Sequence, residues 1–271
     1  MEQNKEQKIR MLVRMAVEAY ASGFADRHLS EIEDPEGTIN MKIHNIFIAA
    51  LGSDIQYYAA LVRSLDSSLG NMLERLAINI ATLSYQVYQE VQGNLYQEQT
   101  NFIAQLLEKY KSHEQQPQVN DYLPLRKITS NTIISKRHDS DYYLIDLQKN
   151  IHYLIELKIG GDLDNKKARS EKEAILEQYA ILSNSIKSDS AAQIKIYFAT
   201  AYNRYGENQP WEQGRVKQFF AEEELLIGSH FWNFICADND GYAVVIDEYK
   251  KNAPVIVKAL EKIKSVYLKH D

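Results

Sequence analysis

The chain has 271 residues, of which 45% are hydrophobic and 25% are charged, and its formal net charge is −6. This composition is ordinary for a globular protein, and no apolar run reaches the ~18 residues that a membrane-spanning helix needs. The acidic balance argues against a protein that simply coats nucleic acid, because such proteins are usually basic. It is compatible with an enzyme that holds metal ions with carboxylates and keeps its basic residues in one cleft.

Two features bear on the cellular setting. Residues 1–10 are polar and charged, without the apolar core of a signal peptide. The single cysteine, Cys236, has no partner for an internal disulfide, and its apolar neighbours predict a buried small hydrophobe rather than a nucleophile. We therefore expect a cytoplasmic protein without a membrane segment.

The first part of the chain predicts helices, because apolar residues recur there at helical spacing. The predicted helices cover residues 6–24, 43–50, 55–65, 69–89 and 95–110. Ser67 or Ser68 is a candidate N-cap for the fourth of them. A polar, Gln-rich stretch over residues 111–121 then predicts a surface loop or linker.

The second part of the chain predicts a small sheet with helices. Runs typical of strands cover residues 132–135, 142–146, 151–159, 193–200 and 241–246. Helices are predicted over residues 166–185 and 252–268, and a loop over 203–214. We therefore predict a mixed α/β fold in which a helical N-terminal region, residues 1–120, packs on a core formed by residues 121–271, as one compact unit.

A charged pair stands on one of the predicted strands. Glu156 and Lys158 are two residues apart, so both side chains point to the same face. Their neighbours are apolar, and charged side chains are rarely buried without a partner or a metal. Alone the pair is a weak signal, since a Glu–Lys pair at a strand end before the Gly160–Gly161 turn would look the same.

The geometry of the preceding hairpin adds an acid to this pair. A turn at residues 148–149 would place Asp141 directly across from Glu156. It would also place Asp139 across from Lys158. A slip of one pair or a bulge would exchange the two aspartates, so Asp139 remains the alternative.

Two acids that meet across a hairpin suggest a metal site. Asp146 would lie five residues along the ladder, roughly 16 Å from Glu156 at ~3.3 Å per residue, which is too far. Asp141 and Glu156 would repel each other unless a cation lay between them, and carboxylate oxygens suit Mg²⁺. Lys158 could orient an attacking water or offset negative charge on a phosphate.

This arrangement, Asp141 followed by Glu156-Leu157-Lys158 on a hairpin and then a helix, resembles the PD-(D/E)XK nuclease superfamily, with Ser140 in place of the proline. Further motifs over residues 139–250 resemble the TdeIII-type restriction endonucleases. They are Ser170-Glu171-Lys172-Glu173, Tyr202-Asn203-Arg204-Tyr205-Gly206, Trp211 and Leu226-Ile227-Gly228-Ser229-His230-Phe231-Trp232. Over residues 1–138 the match is limited to Ser68, Gly70 and Glu74.

The resemblance implies a restriction-endonuclease-like core and a type II enzyme that cuts double-stranded DNA at a short palindrome, of the GGNCC type. It implies Mg²⁺, 5′-phosphate ends, a homodimer, and a DNA methyltransferase that protects the host. Asp141 and Glu156 would be the metal ligands, Lys158 the catalytic cation, and Glu74 a further acid. Two other functions stay open: a repair or structure-specific nuclease, and a non-catalytic DNA-binding protein with a nuclease-like fold.

Candidate DNA-contacting residues lie in two places. They are Lys166, Lys167, Arg169 and Lys172 in the predicted helix 166–185, and Asn203, Arg204, Arg215 and Lys217 in and after the loop. Cations at a helix start oppose the helix dipole, which phosphates would explain, although exposed lysines are common. The loop is the recognition candidate because arginine reads guanine in the major groove; a mobile surface loop is the alternative. Asp162 and Asp164 are expected to cap the helix, with approach to the metal as the alternative.

Overall fold

The structure is a computed structural model that describes residues 1–189 and 191–268. In chain order, the helices are α1 (Gln3–Ser30), α2 (Ile46–Ala49), α3 (Ser53–Ala81), α4 (Gln97–Lys111), α5 (Asn165–Ser185), α6 (Gly214–Lys217), α7 (Ser229–Ile235) and α8 (Gly241–Tyr267). The strands are β1 (Gln86–Tyr96), β2 (Ile133–Asp146), β3 (Ile151–Leu157), β4 (Gln193–Thr200) and β5 (Leu225–Ile227).

The chain divides into two compact units. The first comprises residues 1–79 and 243–271, and the second comprises residues 80–242. The predicted boundary near residue 120 falls inside the second unit, because β1 pairs with β2 and so belongs to the sheet.

The first unit is helical. The buried residues of α1 recur at steps of three or four and include Val13, Val17 and Phe24, which is the pattern of a helix with one apolar face. Phe24 joins a core with Tyr57 of α3 and Ile263 of α8. The helix predicted over residues 6–24 is therefore present, as part of the longer α1.

The second unit is built on a five-stranded mixed sheet with strand order β1-β2-β3-β4-β5. The β1–β2 and β2–β3 pairs are antiparallel, whereas β3–β4 and β4–β5 are parallel. Parallel strands need a crossover connection, and α5 supplies the one between β3 and β4. The predicted fold class, mixed α/β with a small mixed sheet and a helical N-terminal half, is confirmed.

Apolar residues cover both faces of the sheet. On one face, Leu154 and Phe198 pack in a buried cluster with Leu176 of α5. Aromatic pairs occupy the other face, where Tyr142 lies against Phe231 of α7. Strand β3 is buried along its whole length, so any charge on it needs a specific partner.

Two predicted elements near the unit boundaries are wrong. Residues 86–89, predicted to end a helix, begin β1, because Val87 and its neighbours pair with the long strand β2. Residues 241–246, predicted as a strand, begin α8, where Val245, Ile256 and Ile263 are buried at helical spacing. Packing overrides the local β preference of this Val-Val-Ile run.

Within the described part of the chain, no helix is both long and apolar enough to cross a bilayer.

Candidate active site

The β2–β3 hairpin brings Asp141 to Glu156. The ladder runs from Asp146↔Ile151 to Tyr142↔Ile155, which is the predicted register, and the next pair along it would be Asp141 and Glu156. The Oδ2 atom of Asp141 accepts a hydrogen bond from the Leu157 backbone N–H at 2.7 Å.

A bulge in β2 decides which aspartate faces the pair. Along β1 the partners step from Tyr88↔Tyr143 to Glu90↔Asp139, so β2 carries two more residues than β1 in this interval. Asp141 lies inside the bulge, and its carboxylate turns to β3. Asp139 lies beyond the bulge and is exposed. The structure therefore brings together Asp141 and Glu156, and not Asp139.

Lys158 completes the group from the end of β3. Its ammonium hydrogen-bonds Oε1 of Glu156, and lies 3.2 Å from Oε1 of Glu171 on α5. Its backbone N–H donates to the Ala199 carbonyl at 2.9 Å, which ties this residue to β4. One ammonium thus lies among three carboxyl groups, at a place where the Lys158 side chain is still 31% exposed.

Carboxyl groups outnumber cations in this cluster, and Glu156 among them is buried. Burial and the nearby Asp141 raise the pKa of Glu156 to about 8. Burial also raises the pKa of Asp141, against the hydrogen bond from Leu157 and the attraction of Lys158. For Lys158, burial favours the neutral amine, but Glu156 and Glu171 outweigh it and raise its pKa. The acidic neighbours therefore favour the charged form of Lys158, whereas burial favours the protonated forms of Asp141 and Glu156.

Glu171 was not predicted as a site residue, although it stood in a recognised motif. Its approach to Lys158 depends on how α5 crosses the sheet, which residue spacing alone does not show.

A second unpredicted ion cluster lies between β2 and α5. Lys136 donates to Glu177 at 2.7 Å, and Nε2 of His138 lies 2.9 Å from the same carboxylate.

Most of the predicted cations at the start of α5 are accessible. Lys166 and Lys167 are exposed, and Arg169 pairs with Glu108 at 3.1 Å. Asp164 is the N-cap of α5, because its carboxylate accepts the Lys167 N–H at 2.8 Å, as expected.

Lys172 does not contact DNA in the way predicted. It is 1% exposed, and its ammonium donates to both oxygens of Glu224, at 2.8 and 2.7 Å. The rings of Tyr122 and Phe220 lie beneath it, with centroids at 5.1 and 4.7 Å. The prediction is wrong because α5 turns this side chain into the core rather than to the surface.

The predicted recognition loop carries exposed cations that have partners of their own. Arg204 pairs with Asp162 at 2.7 Å, and Lys217 pairs with Glu222 at 3.1 Å. Asn203 donates its side-chain amide to the Gln209 carbonyl at 2.7 Å. Arg215 is exposed at the start of α6.

Glu74, the three large aromatic residues of the motifs and the cysteine lie on other segments of the fold. Glu74 lies on α3 in the first unit, whereas the cluster lies in the second. Trp211, Phe231 and Trp232 are buried. Cys236 is fully buried, as expected for a small hydrophobe.

The carboxylates of this cluster suit a hard cation whose other ligands are waters and substrate phosphates. Among the described residues, no group of three or more His, Cys, Asp or Glu side chains is arranged to hold a metal unaided. Mg²⁺ does not need such a cage, because it is usually held by one or two carboxylates together with waters and substrate phosphates. Two acids with raised pKa values, beside an accessible lysine, match that requirement.

Comparison with known proteins supplies independent information. A family model described as "Type II restriction endonuclease, HinfI" matches residues 4–253. No curated protein and no solved structure matches the chain. The matched range includes the whole β2–β3 hairpin and α5. The match supports a restriction endonuclease, but not the TdeIII subtype that the motifs resemble.

Proposed function

Because the chain belongs to the HinfI family of type II restriction endonucleases, we propose that it cuts both strands of DNA at a short palindrome by hydrolysing phosphodiester bonds. The observation that carries the chemistry is the convergence of Asp141, Glu156 and Lys158 at one end of the β2–β3 hairpin. This arrangement also supports PD-(D/E)XK chemistry. The TdeIII subtype rests on the ordered motifs alone.

We propose that Asp141 and Glu156 hold Mg²⁺. Burial raises the pKa of both acids, and the nearby Asp141 adds to the rise at Glu156, so a divalent cation would favour their ionised forms. When bound, the ion would polarise the scissile phosphate and lower the pKa of a bound water. In-line attack by water forms the new P–O bond and breaks the bond to the 3′ oxygen. The products are a 5′-phosphate and a 3′-hydroxyl.

Lys158 would act as a cation and not as a general base. Its raised pKa keeps it protonated, so it can hold the attacking water or offset charge that builds on the phosphate. Glu171 touches Lys158 and would position it. A lysine held between two glutamates is fixed in direction, which matters because displacements of about 1 Å can be costly in catalysis.

The proposed DNA contacts keep all but one of the predicted residues. They are Lys166, Lys167 and Arg169 on α5, and Asn203, Arg204, Arg215 and Lys217 in and after the loop. Lys172 is omitted because it is buried in an ion pair. Glu74 stays a predicted further acid.

A palindromic target presents two identical scissile bonds related by a two-fold axis, so we propose a homodimer with one active site per subunit. A cytoplasmic enzyme of this kind would act beside a DNA methyltransferase that modifies the same sequence in the host. The partner methyltransferase would be a functional companion and need not bind the nuclease.

A digest of DNA of known sequence, with Mg²⁺ and with added EDTA, tests the proposal. We expect cuts at one short palindrome, of the GGNCC type, with 5′-phosphate ends and no cleavage in EDTA. Scattered cuts, or a preference for branched DNA, would favour a repair nuclease. Binding without cleavage under any divalent ion would favour a non-catalytic DNA-binding protein.

A further inference from the structure

Two adjoining cavities, of about 340 and 450 Å³, lie within the first unit. Residues of α1 and α3 line both, and the cavities share Arg27, Ser68 and Asn71, so together they form one open depression. We call it the α1–α3 groove. Its cationic side chains are Arg27, Lys42, Arg63 and Arg75.

The charge of the groove is opposite to that of the whole chain. The net charge is −6, yet none of the described residues that line the two cavities is acidic. Arg27 pairs with Glu31 at 3.0 Å. Lys42, Arg63 and Arg75 make no ion pair with any other described residue. A concentration of cations without counter-charges is an electrostatic footprint for a polyanion.

The cations on α3 form a regular row. Arg63, Ser67, Asn71 and Arg75 follow one another at four-residue steps, so they share one face, and all four are exposed. The row is ~18 Å long at 1.5 Å per residue, which is about five nucleotides at 3.4 Å per step. Arginine, serine and asparagine are residue types that donate to DNA phosphates.

The α1 side of the groove leaves room for a ligand. Ala16 and Ala19 line it, and no atom lies within 4 Å of where a Cβ on Gly23 would be. These small side chains on α1 leave space for a nucleic-acid backbone to approach the cations on α3. The cations of the predicted recognition loop differ from those of the groove, because Arg204 and Lys217 already pair with acids of their own unit.

We propose that the α1–α3 groove binds the sugar–phosphate backbone of duplex DNA, as a second contact surface separate from the carboxylate cluster. The inference rests on the proposed function only in taking DNA as the substrate. A concave groove suits the ridge of a backbone, and contacts to phosphates position a protein without reading sequence. Binding through it is therefore independent of the target sequence.

The test measures binding of a short duplex by fluorescence anisotropy, in EDTA so that no cleavage occurs, over a series of salt concentrations. The variant is Arg63→Ala with Arg75→Ala. The matched control is Arg14→Ala with Lys258→Ala, two exposed cations of the same unit that line neither cavity. All replaced residues are exposed, and thermal melting checks that both variants fold.

We expect the groove variant to bind about tenfold more weakly or worse, and its log–log salt slope to fall by about 2, since each phosphate contact contributes roughly 0.9. The loss should be equal for a duplex with the cleavage site and for a scrambled one. The control should bind like the wild type. Unchanged binding by the groove variant, an equal loss in the control, or a loss confined to the cleavage-site duplex overturns the inference.

These outcomes are separable from failure of the proposed function. A wild-type protein that binds duplex through the groove but never cleaves it would overturn the nuclease proposal and leave the groove intact. If the protein cleaves at a fixed site while the groove variant binds normally, the groove inference is overturned and the nuclease proposal stands.

Discussion

Lys158 and Lys172 lie in the same unit and each pairs with a glutamate, yet their surroundings differ. Lys172 and Glu224 are each 1% exposed, and Glu224 also accepts the Ala221 N–H at 2.8 Å, so one cation meets one anion in a closed pocket. Lys158 lies among three carboxyl groups at the surface end of β3.

We infer that the difference separates a structural ion pair, Lys172–Glu224, from the proposed catalytic group around Lys158. The buried pair is balanced and sealed, so it has no use for an external ion. The Lys158 cluster has more acid than base and is partly open to solvent, so it can accept the proposed cation. Charge balance and access, rather than the identity of the residues, distinguish the two.

Among the largest expected effects is that of removing the acid that the bulge selects. Asp141→Asn should reduce Mg²⁺-dependent cleavage by about 10²–10³-fold or more, because a metal ligand is lost. Asp139→Asn is the matched control, an exposed aspartate two residues away, and should cleave normally. Plasmid cleavage rates check both. Equal activity of the two variants would remove the assignment of Asp141.

Exchanging each lysine for methionine tests the comparison itself. Lys172→Met should lower the free energy of unfolding by about 3–5 kcal/mol, because it leaves Glu224 buried without its partner. Glu224→Gln in the same chain should restore part of that loss. Urea denaturation measures both.

Lys158→Met should behave in the opposite way. We expect cleavage to be abolished, while the free energy of unfolding changes by about 1 kcal/mol or less, since solvent reaches this site. DNA binding in EDTA should survive. A Lys158→Met protein that is as unstable as Lys172→Met would erase the distinction between the two pairs.

The stability of the metal-free protein should depend on pH through Glu156. Its pKa is raised from the ordinary 4.5 to about 8 by burial and Asp141, so the native state holds this proton where the unfolded chain has released it. The free energy of unfolding therefore falls as pH rises from 4.5 to about 8. Glu156→Gln should remove that fall and be more stable by roughly 1–3 kcal/mol near neutral pH.

Urea denaturation of both proteins in EDTA at several pH values measures this difference. We expect the advantage of Glu156→Gln to grow from acidic to neutral pH. If the stability advantage of Glu156→Gln did not change with pH, the pKa of Glu156 would not be raised in the folded protein.

The smallest expected effect belongs to Glu171. Glu171→Gln keeps the shape of the side chain but removes the charge that faces Lys158. We expect cleavage to slow about tenfold or less, with DNA binding unchanged, because a positioning contact is weakened and no metal ligand is lost. Single-turnover cleavage rates check this; a loss as large as that of Asp141→Asn would make Glu171 a direct participant.

Sequence reasoning was successful where structure is local. The β2–β3 register follows from one turn and the alternation of the strands, so Asp141 and Glu156 could be paired on residue spacing. Strand β4 spans the predicted residues 193–200 for the same reason, because its β-branched and aromatic residues form one continuous run.

The failures concern contacts between residues distant along the chain. Strand β1 exists because it pairs with β2, whose partner residues lie 37 to 59 positions later in the sequence. The burial of Lys172 depends on Glu224, 52 residues away. Glu171 reaches Lys158 only because α5 crosses back over the sheet. Spacing within one element predicts which face a side chain occupies, but not which partner it meets there.

Calorimetric titration of a divalent ion into the metal-free protein measures whether Asp141 and Glu156 hold the ion. Ca²⁺ or Mg²⁺ should bind the wild-type protein in the presence of a DNA duplex, and the doubly substituted Asp141→Asn, Glu156→Gln protein should show no binding at that site. Equal binding by the two proteins would contradict the account, because the ion would then be held somewhere other than the carboxylates at the end of the hairpin.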